Sequence, residues 1–296
     1  MLPIKRILCP IDFSEFSLRA YRSALSLAEH YRAKLVAQHI VEMWRYPSAT
    51  FAISAGLYDQ FRQALRESGA EQLQEFVKQH TPDEIHPELV VQEGTAPDFI
   101  LAFAQAQKID VIVMGTHGRR GFDRLMLGSV TDRVMRAAPC PVLAVCKPPH
   151  DSMAAGKEPG HIRHLSRILF CTDFSGNSAR ALDYALSAAA EYNAELTLLH
   201  VLEEVPSPAK KEEALAAAVK QLDKLVPAEA RKTLKIKTAV RVGKPYAQII
   251  QLAQEAQIDM AVMGAHGCGA LDLAVFGSTT YRVMQLGPCP VLAVPV

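Results

Sequence analysis

At 296 residues, 49% hydrophobic and 21% charged, the chain has the length of two ordinary globular domains of about 100 to 200 residues each. Its formal net charge of +1 provides no long-range basic field, which excludes recognition of nucleic acid or of an anionic membrane by bulk charge. No stretch approaches the roughly 20 uninterrupted apolar residues of a spanning helix, and the opening MLPIKRILCPIDFS lacks the pattern of a signal peptide, so a cytoplasmic location is expected. The six cysteines, Cys9, Cys140, Cys146, Cys171, Cys268 and Cys289, form no C-x-x-C pair, which argues against a disulfide framework or a thiolate zinc site. Most read as reduced core residues. Cys268 differs, because it falls in a glycine loop before a helix, where a thiolate is favoured.

In chain order, the first elements already contain a repeat. KRILCPIDFSEFSLRAYRSALSLAEHYRAKLVAQHIVE from Lys5 aligns without gaps on SRILFCTDFSGNSARALDYALSAAAEYNAELTLLHVLE from Ser166. After a helical region of different length the register returns: QKIDVIVMGTHG matches QIDMAVMGAHG, and APCPVLAV from Ala138 matches GPCPVLAV from Gly287. The repeat divides the chain into a first domain over 1–147, a linker over 148–165 and a second domain over 166–296. The linker is rich in Pro, Gly and small residues, and its His161 and His164 read as solvated rather than metal-binding.

Within each copy, apolar runs of four to eight residues (RILCPI, KLVAQHIV, ELVVQ, DVIVMG, PVLAV) alternate with helix-period segments such as LRAYRSALSLAEHY. Strands that are almost continuously apolar need a sheet covered on both faces. The expected fold class is therefore α/β, as two tandem five-stranded, parallel, doubly wound, Rossmann-like domains. The segment from Leu57 to His80 forms the second helix of the first domain. Its counterpart from Lys210 is shorter and interrupted at Pro227.

Ligands of open α/β sheets lie beyond the carboxyl ends of the strands, which selects two loops per copy. The first is PIDFS with Asp12, or CTDFS with Asp173. These aspartates either cap the following helix, with Glu15 at capping-box spacing, or face a ligand. The second is a glycine frame, G-x-x-G, nine residues, then G-S: Gly115, Gly118, Gly128 and Ser129, and again Gly264, Gly267, Gly277 and Ser278. Glycines admit an anion close to backbone N–H groups, and a following helix adds its dipole. The plainer reading is that Ser129 and Ser278 cap helices while the glycines turn the chain.

The P-x-D-F-S opening, the strand ending MG-x-HG, the glycine frame and the closing CPVLAV strand resemble the universal stress protein family in its tandem form, over nearly the whole chain except the linker. The resemblance implies ATP, with Mg2+, bound between the first and fourth strands of each domain, and domains paired through their last strands, with a further homodimer possible. It places Asp12 and Ile40 beside adenine; Met114, Gly115, His117 and Gly118 beside ribose and phosphates, with Arg119 adjoining; and Gly128, Ser129, Val130 and Thr131 around the triphosphate. In the second copy the same roles fall on Asp173, Val201, Met263, Gly264, His266, Gly267, Gly277, Ser278, Thr279 and Thr280. His117 and His266 then donate a hydrogen bond or pack on the ribose more simply than they act as bases, and His39 and His200 read as structural.

The function expected is that of an ATP-binding sensor or regulator in a stress response, with little or no catalysis and any ATP hydrolysis slow. One rival is an ATP-using enzyme, a slow hydrolase or an adenylating enzyme, although HIGH, SGGxDS and the P-loop are missing. The other is a nucleotide-independent scaffold or small-ligand carrier. The two frames differ in charge: the first holds Arg119, Arg120 and Arg124, where the second offers Cys268, Gly269 and Ala270. Exposed arginines contribute about 0.2 to 1 kcal/mol each, so the first site is expected to bind ATP roughly two- to a hundred-fold more tightly. Titrating ATP into Gly128→Glu and Gly277→Glu variants checks this. Loss of the tight phase on closing the first frame is the expected result, and its loss only on closing the second would reverse the assignment.

Overall fold

The structure, a computed structural model, describes residues 4–42, 55–118, 127–146, 165–204, 210–265 and 277–295. The first half runs β1 (Arg6–Pro10), α1 (Glu15–Tyr31), β2 (Lys34–Val41), α2 (Ala55–His80), β3 (Glu88–Glu93), α3 (Ala96–Ala106), β4 (Val111–Gly115), α4 (Ser129–Ala137) and β5 (Val142–Val145). The second runs β6 (Arg167–Cys171), α5 (Gly176–Glu191), β7 (Glu195–Leu202), α6 (Lys211–Leu225), α7 (Ala228–Thr233), β8 (Ile236–Val242), α8 (Pro245–Glu255), β9 (Met260–Gly264), α9 (Ser278–Leu286) and β10 (Val291–Val294). Pro227 is the N-cap of α7, so the break it makes in the helical region is the one its fixed φ and missing N–H dictate.

All ten strands form one sheet, in the order β3-β2-β1-β4-β5-β10-β9-β6-β7-β8. Pairing is parallel within each half. It is antiparallel at the junction, where Val291 faces Ala144, Leu292 faces Leu143 and Ala293 faces Val142. Successive side chains of a strand alternate between faces, and the core divides accordingly. Leu143 and Val145 join α1, α2, α5 and α6 in one apolar layer, while Val142 and Ala144 join α3, α4, α8 and α9 in the other. Both layers run through the two halves without interruption. Leu165, at the end of the expected linker, is buried in the first layer.

The repeat extends to backbone geometry. Left-handed residues recur at matching positions: Phe13 with Phe174, Arg32 with Asn193, Lys108 with Gln257. An aspartate fastens the start of the fourth strand to that of the first in both copies. Asp110 Oδ2 accepts the N–H groups of Lys5 and Arg6 at 2.7 and 2.8 Å, and Asp259 Oδ2 those of Ser166 and Arg167 at 2.8 and 2.9 Å. Cys9, Cys140, Cys146, Cys171 and Cys289 are buried free thiols. Burial pushes all five pKa values up, Cys146 to about 11 and Cys140 to about 12.

A second junction lies on the α1 and α5 side. The His30 ring stacks on Tyr192 at 4.1 Å and its Nε2 is 3.1 Å from Glu191 Oε1, while Tyr31 meets Tyr192 edge-on at 6.2 Å. Expressed alone, either domain would present β5 or β10 as an open apolar edge, the surface that templates strand addition. Isolated domains should therefore elute as dimers or larger species in size-exclusion chromatography, and persistent monomers at high concentration would contradict that.

Candidate functional site

In each half the strand order turns back at the first strand, so β1 and β4, or β6 and β9, diverge in their connections and leave a crevice beyond their carboxyl ends. One wall is the loop after β1. Phe13 takes a left-handed φ of 64°, which drives its ring against His39 at 4.5 Å and Phe76 at 5.8 Å. His39 Nδ1 donates to the Ile11 carbonyl at 2.7 Å; a carbonyl only accepts, so the proton resides on Nδ1. In the second copy Phe174 packs on His200 at 4.3 Å and His200 Nδ1 donates to Thr172 O at 2.9 Å. Both histidines are structural, as expected, and hold the turn that presents the aspartate.

Neither aspartate caps its helix. Asp12 Oδ1 accepts the Ser14 N–H at 3.0 Å and the Ser14 hydroxyl at 2.6 Å, and Ser14 Oγ is the N-cap, accepting from Ser17 N at 3.2 Å. Asp173, Ser175 and Ser178 repeat this at 3.0, 2.6 and 3.3 Å. The capping box expected with Glu15 does not form in this way; Glu15 pairs with Arg19 at 2.8 Å. A serine between the aspartate and the helix takes the capping role, which leaves the carboxylate outside the helix and over the crevice. In CTDFS, Thr172 Oγ1 accepts the Phe174 N–H at 2.9 Å and bonds Ser178 Oγ at 2.9 Å, contacts that Ile11 at the matching position of PIDFS has no hydroxyl to make.

The opposite wall is the glycine frame, whose residues serve distinct purposes. A Cβ on Gly115 would lie 2.8 to 2.9 Å from Phe16 Cβ, C and O, so this glycine lets α1 close on β4 and is required by packing. A Cβ on Gly118 would meet Asp12 Oδ2 at 2.8 Å, which brings the carboxylate and the frame together across the crevice. Gly128 seats α4 against the loop: its N–H donates to Thr116 O at 2.8 Å, and its Cβ position is 3.4 Å from His117 Cα and 3.6 Å from Gly118 N. Thr131 is buried and its hydroxyl donates to Gly115 O at 2.8 Å. In the second copy Gly277 N donates to Ala265 O and Thr280 Oγ1 to Gly264 O, both at 2.9 Å. The threonine hydroxyls are thus committed internally, and only their backbone N–H groups face the helix start.

Ser129 and Ser278 do not cap. The N-caps of α4 and α9 are Gly128 and Gly277, with no side-chain cap, and each serine is the first helical residue. The first turn of each helix therefore directs N–H groups without intrahelical acceptors, those of Ser129, Val130 and Thr131 and of Ser278, Thr279 and Thr280, toward the crevice. Met114, Met263 and Ile40 are buried in the α3, α4, α8, α9 layer, with Val201 packed against it. His117 Nδ1 lies 2.9 Å from Thr116 Oγ1 and its ring 5.0 Å from Phe16. Arg119, Arg120, Asp123 and Arg124 in the first copy, and His266, Gly267, Cys268, Gly269, Ala270 and Asp272 in the second, lie outside the described residues, as do His161 and His164. Sequence reasoning missed one contributor: the Tyr281 hydroxyl, from α9 of the second half, accepts the Leu127 N–H at 3.2 Å beside the first glycine frame.

Elsewhere, a cavity of about 910 Å³ opens at the amino end of the sheet, between Arg32, Lys34, Pro82 and Glu88, remote from either crevice. Among the described residues no helix is long and apolar enough to cross a membrane, and no group of three or more His, Cys, Asp or Glu side chains is placed to hold a metal.

Two doubly wound halves, each with an aspartate and a glycine frame at its topological switch, define a tandem Rossmann-like α/β protein. The universal stress protein family model matches residues 3–145 and 164–295, and the chain belongs to that family, in tandem form, with the stress-response role the family carries. A universal stress protein of Methanocaldococcus jannaschii is 36% identical over 146 residues, covering 49% of this chain and 83% of the relative. A Bacillus subtilis universal stress protein is 30% identical over 151 residues, covering 44% and 99%. The crystal structure of a universal stress protein from Archaeoglobus fulgidus superposes with a TM-score of 0.69 at 20% identity, covering 98% of this chain and 96% of its own; that likeness concerns the fold.

The glycines predict separable effects. Gly115→Ala should destabilise the fold by about 1 to 3 kcal/mol, because the added methyl meets Phe16 backbone atoms that cannot yield. Gly118→Ala meets only the end of a side chain and should leave the urea midpoint nearly unchanged while displacing the Asp12 carboxylate from the crevice. Equal losses of stability in the two variants would refute this division.

Proposed function

We propose that the protein binds ATP in these crevices, with Mg2+ as the counter-ion of the triphosphate, and that its nucleotide state regulates association or partner choice in the stress response. The observation that carries this reading is the pairing of opposite chemistries across one crevice. The Asp12 carboxylate stands 2.8 Å from the Cβ position of Gly118, while the uncapped start of α4 opens on the same loop. A carboxylate suits the hydroxyls or amine of a nucleoside and repels phosphate; a helix N-terminus attracts phosphate. A nucleotide satisfies both when its base and sugar lie toward Asp12 and Ile40 and its phosphates toward Gly118, Gly128, Ser129, Val130 and Thr131. The second crevice would hold its nucleotide in the same sense on Asp173, Val201, Gly264, Gly277, Ser278, Thr279 and Thr280.

Binding without rapid turnover is part of the proposal. Asp12 Oδ1 is already engaged by the Ser14 N–H and hydroxyl, so that oxygen is committed to its own turn rather than aimed at an attacking water. Mass spectrometry of the purified chain should find retained adenine nucleotide, and incubation with ATP should release phosphate more slowly than about 1 per second. Turnover at enzymatic rates, lost on Asp123→Asn, would favour the ATP-using enzyme. Absence of any binding in titrations would favour the nucleotide-independent carrier.

A further inference from the structure

Leu127 is buried and immediately precedes Gly128, the N-cap of α4. A buried N–H requires an acceptor, and the acceptor here comes from the other half of the chain, the Tyr281 hydroxyl at 3.2 Å. Tyr281 packs against the apolar layer that α4 and α9 share, so its hydroxyl is carried by the docked second domain. The consequence falls on the anion loop. Gly128 is held on its other side by its 2.8 Å bond to Thr116 O, and its Cβ position is only 3.6 Å from Gly118 N, so the path of residues 127 and 128 sets the gap between the start of α4 and Gly118. Among the described residues the arrangement is one-sided. Asp132 occupies the matching place on α4, and its carboxylate is bound twice by Arg136 of the same helix, at 2.9 and 3.0 Å.

We propose that Tyr281 is a positioning residue for the start of α4 in the first domain: it fixes the chain entering Gly128, and the first crevice grips phosphate fully only while the second domain is docked. This rests on the nucleotide reading above and assigns the regulation of that site. By reciprocity, phosphate in the first crevice tightens the docking of the second domain.

The test uses the full chain. Tyr281→Phe keeps the ring and removes the acceptor, and ATP and adenosine are titrated into both proteins while the amide NMR signals of Leu127, Gly128 and Ser129 report the first crevice. The expected result is faster hydrogen exchange at the Leu127 amide, ATP affinity lower by about three- to tenfold, the scale of one hydrogen bond, and unchanged adenosine affinity. An equal fall for adenosine would reduce Tyr281 to general packing, and unchanged ATP affinity would show that it has no hold on the loop. Either result overturns the proposal and leaves the nucleotide reading standing. If ATP moves none of these signals in the unsubstituted chain, the nucleotide reading fails and this inference fails with it.

Discussion

The antiparallel pairing of β5 with β10 is the constraint on which the remaining architecture depends. Each half alone is a five-stranded sheet whose closing strand, VLAV in both copies, is apolar on both faces and has one unpaired edge. Joining the edges satisfies the backbone groups of both strands and extends each apolar layer across the junction. It also fixes which helices meet. α1 and α5 approach on one face of the sheet through His30, Tyr31, Glu191 and Tyr192, and on the other face α9 reaches the start of α4 through Tyr281.

A symmetric dimer of one domain would place identical side chains across its axis. Fusion of two copies in one chain removes that restriction, and the junction exploits it. His30 and Glu191 occupy matching positions in the repeat and meet at 3.1 Å, a pair that neither copy could form with itself. Tyr31 and Tyr192 also match and remain tyrosines, in an edge-on contact of the kind that aromatic quadrupoles favour. Tyr281 and Asp132 match in sequence and differ in what they do. The halves share a fold while the contacts between them have become directional.

Much of this was legible in the residues. The ungapped repeat, the doubly apolar strands and the break at Pro227 correspond to the ten strands, their parallel pairing and the split between α6 and α7. The capping pattern was not legible, because D-F-S offers two capping side chains two residues apart and only the left-handed Phe13 decides between them. A glycine frame likewise reads as a single anion motif, whereas Gly115 answers to Phe16 on another element and Gly118 to Asp12. Spacing cannot separate a glycine needed by a helix from one needed by a ligand, since both demand the same missing Cβ. Tyr281 escaped for a related reason: its acceptor role exists only after the halves dock, and no local pattern encodes a contact made across more than half of the chain.

Struts around the first crevice hold the described ends of the glycine frame, Gly115 to Gly118 and Leu127 to Ser129, in place. Glycine contributes no side chain to hold itself in place and loses the most freedom on folding, so a frame of glycines needs its rigidity from outside. Thr131 ties α4 to the end of β4 through Gly115 O, Gly128 N is tied to Thr116 O, and Leu127 N is tied to Tyr281. Two of these anchors are internal to the domain and recur in the second copy through Thr280 and Gly277. The third is supplied across the junction. The hold on the start of α4 is therefore divided between a part the domain owns and a part it acquires on docking, and that division gives a tandem chain a physical means of making one crevice responsive to the state of the other half.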